Sequence, residues 1–233
     1  MHFLDERLYT VMRRPRRLLG GRRNVHLLHE EPWPDLTPLR YSSETLRRLV
    51  VTGPVADISA VNEMAALQEL TLHTHGSTGT LDLVALRHLR ELALDRGEID
   101  VSLQGGESLR RVWLSGCDQA WAEFVGELPC LEELTLIGSR SLPRRLPRSL
   151  RKLRIGAFTK WPEDLRIEGI ENLVDLSLES VRGIRDLRSF SSADKLSSLY
   201  VEDCDEFSSL AGPGLAPNFE ELLAGRSVRR SNR

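Results

Sequence analysis

The side chains best suited to chemistry in this 233-residue chain are few. His73 and His75 stand one residue apart in "HTH", which could offer two imidazoles to a divalent metal. A metal would need further ligands, and His26 is the only obvious helper; His75 falls at a turn position pointing inward, so the pair diverges. Cys117, Cys130 and Cys204 form an odd, sparse set without a C-x-x-C pair, which suits neither a zinc site nor a disulfide framework. Cys204 beside Asp205 is no sign of catalysis by itself. A G-x-S-x-G elbow, a P-loop and a dinucleotide fingerprint are all missing, and "GGRR" and "QGG" are ordinary turn glycines. The sequence therefore assigns no catalytic residue, no cofactor and no metal, and an enzyme is not expected.

Composition points the same way. Apolar residues make up 40 % and charged residues 28 %, ordinary for a soluble globular protein with one substantial core or two small ones. A net charge of −2 sets up no global field for nucleic acid or an anionic membrane. The basic residues are nearly all arginine, as GC-rich codon usage would produce. No run of 18 apolar residues exists, so no membrane span is expected. Asp5, Glu6 and Arg7 interrupt the segment where a signal peptide needs an apolar stretch, which together with the sparse cysteines gives a cytoplasmic expectation. The arginine cluster from Arg13 to Arg17 lacks interleaved aromatics beyond Tyr9, so nucleic acid is not an expected partner.

Self-similarity organises the rest. An L-x-x-L-x-L frame recurs at Leu46, Leu67, Leu89, Leu109, Leu131, Leu150, Leu173 and Leu196, in steps of 21, 22, 20, 22, 19, 23 and 23 residues. "RRNVHLL", Arg22 to Leu28, reads as a degenerate earlier copy. Alternation within each L-x-L places one face in a core, and a second apolar pair follows on the return, such as Ile58 and Val61 or Leu142 and Leu146. One copy cannot bury these pairs alone, whereas a stack can.

On these motifs, residues 22 to 210 resemble the leucine-rich-repeat family. The resemblance implies an α/β solenoid, a horseshoe or arc with a parallel sheet on its concave face and short helical and extended segments mixed on the convex side. It implies a binding protein, of a kind that serves as inhibitor, immune-type sensor or delivered effector, and a bacterial source. The family's asparagine is absent: its position holds Pro54, His75, Gly97, Cys117, Ser139, Phe158, Val181 and Cys204. The turn backbone then needs other partners, and Cys117 and Cys204 read as buried structural thiols. The short copy from Leu142 to Ile155 resembles the proline-spaced repeats of bacterial effectors, since Pro143 and Pro147 oppose a helix on its return. "AWAEFVGEL" and "DISAVNEMAAL" each suit a short helical turn or two. A helical cap is expected over residues 1–23, the repeats over 24–210, a C-terminal cap over 211–225 and a disordered basic tail over 226–233.

The third and fifth residues of each copy face a partner if the frame holds. The third column runs Arg48, Glu69, Glu91, Arg111, Glu133, Lys152, Asp175, Ser198, alternating in sign from Glu91 to Asp175. Such a ladder either sets the register of a partner or is satisfied within the sheet. The fifth column places Trp113 between Ala93 and Thr135, Arg154 between Thr135 and Ser177, and Tyr200 beside Ser177. Large groups with small neighbours stay reachable, and tryptophan, tyrosine and arginine dominate binding hot spots. Alternatively, Trp113 lies flat over its neighbours or packs on Arg111 or Arg154. Asp175, Glu179, Glu202, Asp203 and Asp205 gather acidity around Tyr200. The expectation is a protein partner held by Trp113, Arg154 and Tyr200, with Arg111, Glu91, Glu133, Asp175 and Glu179 around them. Self-association into a scaffold is the alternative, motivated by basic and acidic residues gathered at opposite ends.

Overall fold

A computed structural model describes residues 10–12, 23–28, 32–74, 76–95, 99–102, 104–116, 118–210 and 221–224. The chain forms two compact units, Met1–Leu109 and Arg110–Arg233, and the strands within each pair in parallel.

In the first unit the sheet holds β1 (Thr10–Met12), β2 (Asn24–Leu28), β4 (Arg48–Thr52), β6 (Glu69–His73) and β8 (Glu91–Leu94), paired in that order. The frame leucines alternate inward, so Leu49, Val51, Leu70 and Leu72 are all buried. The degenerate copy is β2, with Val25 opposite Leu49 and Leu27 opposite Val51, both buried. Returns between these strands use two further pairs of three-residue parallel strands: β3 (Trp33–Asp35) with β5 (Val55–Asp57), and β7 (Thr80–Asp82) with β9 (Asp100–Ser102). Two 3-10 helices, Thr37–Ser42 and Ser59–Glu63, complete them.

The second unit stacks β10 (Arg111–Ser115), β11 (Glu133–Ile137), β12 (Lys152–Gly156), β13 (Asp175–Glu179), β14 (Ser198–Glu202) and β15 (Glu221–Ala224). Its returns carry α1 (Gln119–Glu127) and a 3-10 turn at Arg188–Phe190, whereas Leu142–Leu150 holds no helix, only a bridge at Arg145 and a turn at Arg148–Ser149, as the prolines require. Asp118 caps α1, its carboxylate accepting from the Trp121 backbone N–H at 3.1 Å. Behind the sheet Phe158, Trp161 and Phe190 form a buried aromatic cluster, and the Trp161 indole N–H donates to Ser189 Oγ at 3.0 Å.

A regular backbone turn follows the strands of this unit. The residue after each strand from β10 to β14 has positive φ: Gly116 (71°), Gly138 (58°), Ala157 (50°), Ser180 (53°) and Asp203 (51°). Turning left there aims its N–H at the end of the next strand. Gly116, Gly138, Ala157 and Ser180 donate to the carbonyls of Ile137, Gly156, Glu179 and Glu202 at 2.8–2.9 Å. The turn position is then free to be apolar, and Phe158, Val181 and Cys204 are buried there.

Two observations concern the ends. Thr10–Met12, inside the stretch assigned to a helical cap, is a strand that pairs with β2. Glu221–Ala224, inside the assigned C-terminal cap, pairs with β14 and extends the ladder. In parallel pairing, hydrogen bonds from a neighbouring strand outweigh the near-helical spacing of apolar residues at the first site. The remainder of 1–22 and 211–220, and the tail 226–233, lie outside the described residues, as do His75 and Cys117.

Candidate functional site

The sheet of the second unit keeps one face out of the core. Its central row follows directly from register: Trp113 opposite Thr135, Thr135 opposite Arg154, Arg154 opposite Ser177, and Ser177 opposite Tyr200. All five are half-buried, while the leucines, isoleucine and valines flanking them along each strand are buried. Strands lie about 4.8 Å apart, so Arg154 stands roughly 10 Å from Trp113 on one side and from Tyr200 on the other, with a small residue in each gap. The alternation read from the sequence is therefore a physical row of projections and notches.

The row is not free-standing. Arg154 Nη2 donates to Glu179 Oε2 at 2.5 Å, and Ser177 Oγ donates to Glu179 Oε1 at 2.8 Å, so both carboxylate oxygens are engaged. Tyr200 Oη donates to Glu202 Oε2 at 2.5 Å. That hydrogen bond to a carboxylate, with the negative charges of Glu202 and Glu179 nearby, raises the phenol above its ordinary value of 10.0. Arg154 and Tyr200 are thus each held by an acid two residues along the face. Ser177 as a brace was missed, although the period of two linking Ser177 to Glu179 and Tyr200 to Glu202 was present to find it.

Along the strand starts, Lys152 Nζ lies 3.7 Å from Glu133 Oε1, and Arg111 stands opposite Glu133. Asp175 stands opposite Lys152 and Ser198. The ladder is thus partly satisfied within the sheet. In the first unit Arg48 Nε is 2.8 Å from Glu69 Oε1, and Glu69 stands opposite the like-charged Glu91. Glu91 lies in the first unit and the other proposed contact residues in the second.

The histidines have separate partners. His73 Nδ1 is 2.9 Å from Asp95 Oδ2, and His26 Nε2 is 3.3 Å from Thr52 Oγ1. Among the described residues no group of three His, Cys, Asp or Glu side chains could hold a metal ion. Cys204 is buried, which pushes its thiol pKa up, and its Sγ lies 3.6 Å from the Leu178 carbonyl; Cys130 is exposed. No helix among the described residues is long and apolar enough to cross a membrane. No protein-family model matches the sequence, and no curated protein matches it either.

Proposed function

We propose that this chain is a non-enzymatic interaction module, a leucine-rich-repeat arc whose inner sheet face binds a folded protein partner, as an inhibitor, immunity-type or sensor component. The observation that carries the reading is the row Trp113–Thr135–Arg154–Ser177–Tyr200, a line of hot-spot residue types with small residues between them on a half-exposed sheet. Its bracing supports the same reading. Arg154 and Tyr200 are already held by Glu179 and Glu202, so less rotamer entropy remains to be lost on binding. A one-strand repeat of about twenty residues, with a left-handed residue after each strand, suits the arc.

The test is a pull-down from the source organism's lysate, followed by affinity measurement on the captured protein. Trp113→Ala should weaken binding by at least about 2 kcal/mol, roughly 30-fold, and Arg154→Ala should weaken it in the same direction. Unchanged dissociation constants in two folded variants would remove the row from the interface.

A further inference from the structure

The net charge of −2 conceals a segregation within the second unit. Between Val112 and Ser139 there is no lysine or arginine, and between Gly138 and Pro162 there is no carboxylate. On the return side these stretches are neighbours. A Cβ added to Gly126, near the end of α1, would come within 2.6 Å of the Arg145 carbonyl oxygen, so the helix lies against the extended segment. Glu123 and Glu127 are exposed one turn apart on α1, which puts them on one side of it. Arg140, Arg144, Arg145 and Arg148 are exposed on the segment beside it.

Neither strip neutralises the other. Arg140, Arg144 and Arg145 form no ion pair with any described residue, and neither does Glu127; Glu123 accepts only from Gln119 Nε2, at 2.8 Å. Arg148 reaches away from α1, towards Glu171 at 4.0 Å. An acidic ridge and a basic ridge therefore run side by side, each with charge to spare.

Such a pair of ridges is self-complementary. A two-fold axis lying in the interface and running between the ridges places the acidic ridge of one copy on the basic ridge of the other, twice over. We propose that this chain associates with a second copy of itself through α1 and the Arg140–Arg148 segment. A nucleic acid suits the surface less well. A duplex would spread its phosphates over Glu123 and Glu127, and single strands need exposed stacking platforms, whereas Phe158 and Trp161 of the basic repeat are buried. This surface is separate from the sheet face, so the inference does not depend on the proposed function.

The experiment is sedimentation equilibrium with charge exchange. The weight-average mass should rise with concentration from 26.4 kDa towards twice that value. It should return to the monomer as salt goes from about 0.01 M to about 1 M and the Debye length shrinks from about 30 Å to about 3 Å. The variants R144E/R145E and E123R/E127R, checked for folding by circular dichroism, should each stay monomeric alone. Mixed, they present two acidic ridges to two basic ones and should associate again. A wild-type protein that stays at the monomer mass over a hundredfold concentration range at low salt would overturn the proposal. So would association that either variant alone retains, or a mixture that fails to recover it.

Discussion

Tyr200 shows how much a single contact on the sheet face controls. Its O–H donates to Glu202, and the phenol's pKa is raised above 10.0 for that reason first. Since the folded value lies above the unfolded one, the bond stabilises fully at pH values below 10 and is lost as pH climbs through the raised value. Spectrophotometric titration should therefore show one tyrosine ionising late, and Glu202→Gln should bring that component back towards the ordinary range. An identical curve in the variant would mean that the bond does not form in solution. Thiol chemistry makes a second check at this scale. Burial raises the Cys204 thiol and shields it, so an alkylating reagent should label Cys130 first in the native protein, with Cys204 protected until unfolding. Equal labelling of both would contradict the buried position.

At the scale of elements, the column of left-handed residues following the strands decides how one repeat hands over to the next. Gly138 has φ 58° and open space where a Cβ would go, so Gly138→Ala carries conformational strain alone, about 1 kcal/mol. Ala157→Gly at φ 50° relieves similar strain but adds freedom to the unfolded chain, and should change stability by less than about 0.5 kcal/mol. Urea denaturation distinguishes the two, and equal losses would show that the column does not govern the turns. Much of this level was legible in the sequence. The L-x-x-L-x-L period placed every strand from β10 to β14 because alternation and a common register leave one solution. Pro143 and Pro147 marked a return without helix, and "AWAEFVGEL" a short helical stretch, where α1 runs. The left-handed column was hidden at Ala157, Ser180 and Asp203, whose residue types do not demand it. The three-residue strands β3, β5, β7 and β9 are too short for a period to register. Thr10–Met12 lies in a stretch where Leu8, Val11 and Met12 are spaced like a helix face, and only its pairing with β2 identifies it as a strand.

At the scale of the whole molecule, the sequence columns gave the row of residues but not how its members are held. The row across the second unit's strands could be read because a repeat turns sequence columns into spatial lines, so Trp113, Arg154 and Tyr200 line up as register requires. Their bracing by Glu179, Ser177 and Glu202 depends on side-chain reach along and across strands, which a column does not encode. The most direct test is to install a photo-crosslinking residue at Thr135, in the notch between Trp113 and Arg154, with a control at the exposed Val84 of the other unit's return side. Irradiation in living cells of the source organism should give a discrete protein adduct from position 135 and none from position 84. A folded protein that yields no adduct at 135 would contradict the claim that this face is where the molecule works.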